Sequence, residues 1–304
     1  MVKRAKKRPA RPAPKRTSGP VKFDLGYYPW IVQHVPQDKL KSHVKIFAAA
    51  LERELQKDLS GATVYVTDPV DVAPQIERII AKPRTIELMN PLGFVFGRQK
   101  SKKLEAVAVA QRIIDGKVGV TYFAQLYTHI DHGVTSIEQA AQKSVGYGVS
   151  FSTSNFLIPA LELQKKKIHP FCGFKDITFV GGHDTVAKAI YNKEIVLGAG
   201  HDGVIIDLSN QPGFADAKQK LKQLVRSPPI PSDPVVVNIA SADERKAVTK
   251  ALVRAGKTAD GKQALSDFWG KVQGLEATTS KKYDVIGAAI TSLGFKPEDL
   301  FPKP

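Results

Sequence analysis

Apolar residues at Leu40, Val44, Phe47, Ala48, Leu51 and Leu55 recur every three or four positions across 38–58. That spacing predicts a helix with one buried face. Before it, "KFDLGYYPWI" reads as a strand with an aromatic turn. After it, "ATVYVT" (62–67) is a strand ended by Thr67-Asp68-Pro69, and "VAPQIERIIA" (72–81) is a short helix. "TIELMN" (85–90) is the next strand, closed by Pro91. The order β-α-β-α-β argues for a parallel sheet covered by helices.

Two long strand-like runs follow, "LEAVAVAQRI" (104–113) and "VGVTYFAQLY" (118–127), joined at Asp115-Gly116. A helix is predicted at 135–141, a strand near 145–149, and a helix over 155–167 that ends in Lys165, Lys166 and Lys167. Cations are favoured at that end of a helix. The logic then repeats: "DITFVGG" (176–182) is a strand, "VAKAIYNKE" a helix, and "IVLGAG" (195–200) a strand. A basic helix is predicted at 216–226, an extended segment at 228–238, helices at 241–256 and 263–273, and a last short helix within 280–301. No repeat of solenoid period is visible.

The pattern is two α/β units in series. In such sheets ligands sit beyond the carboxyl ends of strands. Thr67, Asn90, Ser152, Thr153, Ser154, His183 and Asp202 all fall at predicted strand ends. The stretch "SFSTSNFLIP" therefore has two readings. Its hydroxyls cap a helix, or they seat an anion where free N–H groups and a positive dipole end converge.

Composition narrows the class. The chain has 304 residues, 42% of them hydrophobic, enough for about two lobes. No window approaches the roughly 18 apolar residues of a membrane span. The single cysteine, Cys172, rules out an intramolecular disulfide and fits a reducing compartment. The net charge is +16, and residues 1–22 carry nine cations and no acid. This Pro- and Ala-rich stretch is expected to be a disordered basic arm. Its possible partners are an acidic protein, nucleic acid or anionic lipid. It lacks the apolar core of a secretory signal, so an organellar (mitochondrial) or cytoplasmic location is expected over the periplasm.

"FSTSNFLIPALEL", "FVGGHDTVAKAIYNKEIVLGAGHDGVI" and "PPIPSDPVVV" together resemble the phosphonate/phosphite/phosphate substrate-binding proteins of ABC transporters. "TDPVDVAPQIERIIAKPRTIELMNPLGFV" and "DHGVTSIEQAAQKSVGYG" extend the resemblance over about 23–245. It implies an α/β, two-lobe, class II periplasmic-binding fold with a ligand cleft between the lobes. The expected division is a basic arm at 1–22, lobe 1 at 23–115, lobe 2 at 116–212, and a return to lobe 1 with C-terminal helices at 213–304.

The resemblance also implies a site. Ser152, Thr153 and Ser154 match the family's Ser-Thr-Ser run, which holds the oxyanion. His183 with Asp184 matches the histidine before the second-lobe helix. Asp202 matches an acid that meets a ligand amino group, and Thr67-Asp68 a first-lobe loop contact. Phe94 stands where the family often has tyrosine, Val149-Ser150 where it has Asp-Pro, and Asn155 where it has glycine. Tyr27, Tyr28 and Trp30 serve as cleft wall or, as a first strand's aromatics, as core.

Neither His129/His132, on a strand end and loop, nor Cys172, in a linker, makes a convincing metal or nucleophile site. No cofactor, metal or catalysis is expected. Two functions follow. One is binding of a small oxyanion (phosphate, phosphite or phosphonate) in the interlobe cleft. The other is a structural or accessory subunit of a larger, organellar assembly that reuses the fold with a degenerate cleft.

Overall fold

The strand "PVVVN" at Pro234–Asn238, β13 in chain order, is buried on both faces. Val235 and Val237 point into one apolar cluster and Val236 into another, so a central strand reads as an unbroken apolar run. The computed structural model describes residues 20–29, 36–114, 116–296 and 299. Most of the expected basic arm lies outside these, as does Trp30. The first strand, β1 (Lys22–Gly26), already begins inside the expected arm.

In chain order the first elements are β1 (Lys22–Gly26), α1 (Gln37–Gln56), β2 (Thr63–Val66), α2 (Val72–Ala81), β3 (Thr85–Leu88), α3 (Pro91–Lys100), β4 (Glu105–Ile114) and β5 (Lys117–Gly119). A short β6 (Thr121–Tyr122) leads to β7 (Ala124–His129), β8 (Ser144–Tyr147), α4 (Ile158–Lys165), β9 (Asp176–Phe179) and α5 (His183–Tyr191). Then come β10 (Leu197–His201), α6 (Val204–Ser209), α7 (Ala217–Lys220) and β11 (Leu221–Arg226). The chain returns through β12 (Ile230–Pro231) to β13 (Pro234–Asn238), α8 (Ala242–Ala255), α9 (Ala259–Trp269), β14 (Val272–Ala277) and α10 (Asp284–Leu293).

Two sheets share one plan. The first runs β14-β4-β13-β3-β1-β2, with β5 on β4; the second runs β11-β7-β10-β8-β9. In each, three parallel strands meet one antiparallel strand, β13 or β7, that has just crossed from the other lobe. The ribbon β6–β12 pairs the two crossings.

Several sequence expectations change here. The chain returns to lobe 1 at 227–234, because β11 pairs with β7 of the second sheet; the boundary drawn at 213 falls too early. The expected helix at 216–226 is α7 followed by β11. A bulge between Gln223 and Val225 breaks the strand's alternation, and the ladder to β7 overrides local propensity. The expected helix at 135–141 is only a 3₁₀ turn at Glu138–Ala140. Strand β14 was not foreseen; it is antiparallel to β4 and carries Gly274 at φ 145°, where other residues are strained.

Lobe 1 packs α1 against α8 and α9 over one face of its sheet. All six apolar positions that predicted α1 are buried there. The other face joins a cluster shared by both lobes. Ile76, Leu92 and Phe94 of lobe 1 meet Val145, Tyr147 and Phe156 of lobe 2 and Ile286 and Ile290 of α10. Each buried Leu, Ile or Phe contributes about 1.5–3 kcal/mol. Phe295, after α10, stacks on Phe156 at 5.6 Å.

Candidate functional site

Helix α3 begins where it does because Asn90 caps it, accepting the Gly93 N–H at 2.6 Å, and Pro91 fits the first turn. The second-lobe turn Thr153–Leu157 begins at Ser152, whose hydroxyl accepts the Asn155 N–H at 3.1 Å. The Leu157 N–H reaches back five residues to the Ser152 carbonyl, which makes the turn a π-turn.

These two helix starts face each other. The Leu92 N–H of α3 donates to Thr153 Oγ1 at 3.1 Å, and Asn90 Nδ2 donates to the Phe151 carbonyl at 3.3 Å. Thr153 and Ser154 are buried, and their hydroxyls lie by the phenol of Tyr122, from the β6 ribbon, and favour its ionised form. Burial, then the charge of Asp233, raises that phenol well above its ordinary range. Asn155 Oδ1 accepts the Gly148 N–H at 2.9 Å. Gly148 has no room for a side chain, since a Cβ there would meet Asn155 Nδ2 at 2.1 Å. That Nδ2 is a buried donor without a hydrogen-bond partner among the described residues.

A third helix start joins them. His183 is the first residue of α5, and its Nδ1 accepts the His201 N–H at 3.3 Å. His201 Nδ1 in turn accepts the Gly203 N–H at 3.0 Å, and the two rings meet edge to face at 4.7 Å. With both Nδ1 atoms accepting, the hydrogen bonds place each neutral ring's proton on Nε2. Burial, helped by the charge of Arg112, holds both imidazoles below their usual pKa, His201 down to about 3. Both are uncharged donors at neutral pH.

Lobe 1 contributes an ion pair. Arg112 of β4 donates to Asp233 Oδ2 at 2.5 Å, to Ser232 Oγ at 2.9 Å, and to the carbonyls of Trp269 and Gly270. Tyr28 OH donates to Asp233 Oδ1 at 3.4 Å. Lys271 of lobe 1 pairs with Asp207 of α6, tying the lobes at the rim.

The other sequence candidates sit elsewhere. Thr67 donates through Oγ1 to the Leu25 carbonyl and finishes β2. Asp68 faces solvent and pairs with Lys41 at 2.5 Å, while Arg78 fixes its carbonyl. Asp184, half-buried, lies 4.0 Å from Lys188 one turn along α5. Asp202 lines a groove with Gln125, Lys218 and Arg226. Phe94 is fully buried, edge-on to Tyr283 at 5.1 Å. Tyr27 is core, against Phe268. His169 Nδ1 accepts the N–H groups of Phe171 and Cys172, so it is occupied by backbone rather than the thiol. Among the described residues no group of three His, Cys, Asp or Glu could hold a metal. No described helix is long and apolar enough to cross a membrane.

The sequence reading passed over Arg112, Tyr122 and Asp233. Asp233 left a signal, an acid between prolines in "PPIPSDPVVV". Arg112 left none, being a single cation late in an apolar strand.

Two lobes of matched topology, two crossings and helix starts from both sides define a two-lobed, periplasmic-binding-type fold. The chain belongs to the family described as ABC transporter, phosphonate, periplasmic substrate-binding protein, whose model matches residues 31–283. The fold resembles a binding protein component of an ABC phosphonate transporter from Pseudomonas aeruginosa, at 19% identity and TM-score 0.67, over 91% of this chain and 87% of that one. It resembles PhnD1 from Prochlorococcus marinus in complex with methylphosphonate, at 18% identity and TM-score 0.70, over 91% and 99%. It also resembles a Xanthomonas citri protein bound to chloride ion, at 14% identity and TM-score 0.72, over 90% and 98%. At these identities the likeness is one of fold.

Membership corrects one expectation. The family is periplasmic, so the periplasm replaces the organellar or cytoplasmic location. The structural-subunit alternative loses its support with it. A match across 31–283 outweighs the composition of one short basic segment.

Proposed function

We propose that this chain binds a small phosphorus oxyanion, a phosphonate, phosphite or phosphate, between its lobes and presents it to a transporter without breaking a bond. The observation that carries this reading is the convergence of three helix starts from two lobes, drawn together where the Leu92 N–H meets Thr153 Oγ1. Helix starts offer N–H donors and positive dipole ends. Thr153, Ser154 and the neutral His183 add donors that carry no charge of their own. An oxyanion entering here replaces the Thr153–Leu92 bond with bonds to its own oxygens. Closure then follows hinge motion at the β6–β12 ribbon.

Thermal shift and calorimetry with methylphosphonate, phosphite and phosphate test the reading. A ligand of the folded state must raise its stability. At a hundredfold excess over Kd the gain is about 2.7 kcal/mol. Absence of any shift with all three anions at millimolar concentration overturns it.

A further inference from the structure

We propose that Arg112 makes this cleft select oxyanions that carry no amino group, because it already neutralises Asp233, the buried acid at the hinge. This rests on the reading that a phosphorus oxyanion fills the cleft. Among the described residues three acids are buried, Glu54, Glu87 and Asp233, and each holds a cation. Glu54 belongs to α1 and pairs with Arg254 of α8, and Glu87 belongs to β3 and pairs with Arg78 of α2. Asp233 alone of the three stands at the hinge beside Tyr28 and the Arg112 guanidinium.

Arg112 cannot swing aside to release it. Nε is held by Ser232, and Nη1 by the Trp269 and Gly270 carbonyls. These anchors sit at the chain's return and at the end of α9, all in lobe 1. A ligand ammonium would bring a second cation to a carboxylate that is already neutralised, next to an immobile guanidinium. The other acids near the cleft also have cations beside them: Asp207 pairs with Lys271, Asp184 lies 4.0 Å from Lys188, and Asp202 lines the same groove as Lys218 and Arg226. A plain alkyl or hydrogen substituent on phosphorus meets none of this repulsion.

The matched pair ethylphosphonate and aminomethylphosphonate differs by a methyl against an ammonium. Calorimetry on the whole protein should show the amino compound at least about tenfold weaker, with methylphosphonate as the positive control. In Arg112→Met the ratio should narrow by about tenfold or more, since Asp233 is then open to the ammonium. If that variant does not fold, the unmodified protein decides alone. Equal or tighter binding of aminomethylphosphonate overturns the proposal while leaving oxyanion binding intact. Binding of methylphosphonate with neither longer ligand also overturns it, since size rather than charge then selects. Failure of methylphosphonate and of phosphite and phosphate strikes the underlying reading instead.

Discussion

The two lobes share a strand order but bring opposite chemistry to the space between them. Lobe 1 presents a charge already neutralised, Arg112 on Asp233, locked to backbone carbonyls and Ser232. Lobe 2 presents uncharged donors: Thr153, Ser154, His183 and His201. The paired charge is framework; the neutral donors are what a ligand reads. Breaking the frame should have the largest effect. Asp233→Ala leaves a largely buried guanidinium without its counter-charge, and removing one partner of a buried pair costs about 3–5 kcal/mol. Urea unfolding of the variant measures this directly. A loss under about 1 kcal/mol would mean that the Arg112–Asp233 pair is not framework, and the contrast between the lobes would dissolve.

Thr153→Val sharpens the contrast from the other side. The substitution keeps the shape but orphans the Leu92 N–H, and an unsatisfied buried donor costs about 1–3 kcal/mol. Affinity for methylphosphonate should fall about tenfold or more, one tenfold step being about 1.4 kcal/mol. Lower stability with unchanged affinity would assign Thr153 to sealing the lobes and not to binding.

The same asymmetry predicts a pH response seated in lobe 2. His183 and His201 have folded-state pKa values below their unfolded value of 6.5, through burial first and then nearby charge. As pH falls below about 6.5, the unfolded chain takes up protons that the folded rings refuse. Stability is therefore intact above 6.5 and is lost on acidification towards about 3, the folded value for His201. The slope is at most about 1.4 kcal/mol per pH unit for each ring. His201→Asn should flatten the decline between pH 6 and 4 when Tm is followed. An unchanged slope would show that His201 takes up its proton freely in the fold.

The sequence made the architecture legible because periodicity is local. The α1 stripe, the valine run of β13 and the β-α-β order all follow from neighbouring residues. Ser152 and His183 were visible for the same reason, each standing at a helix start after a strand. Arg112 and Tyr122 were not visible, because their meaning lies in contacts with residues more than 30 positions away, Asp233 and Ser154. Strand β11 was misread because its pairing with β7 spans some 90 residues and includes a bulge. Asn155, a departure from the family pattern, is explained only by the end of β8, whose Gly148 N–H it holds.

Asp68 gives the smallest expected effect and the most direct check on reading sites from position alone. It sits after β2, a strand end like those that carry Ser152 and His183. Position alone would place it in the cleft. Its side chain is instead 82% exposed and paired with Lys41 of α1. The hydrogen bond and charge of that lysine hold its carboxyl below the usual range. Arg78 fixes the loop by its backbone carbonyl, so the carboxylate is left to solvent. An exposed pair is screened by water and salt and adds little. Asp68→Asn should therefore leave both Tm and methylphosphonate affinity unchanged within error, at low salt as at high. A weakened affinity at low salt alone would mean that Asp68 acts through the field of the cleft mouth. A weakened affinity at every salt concentration would restore it as a contact, and lobe 1 would then bring an open charge to the site after all.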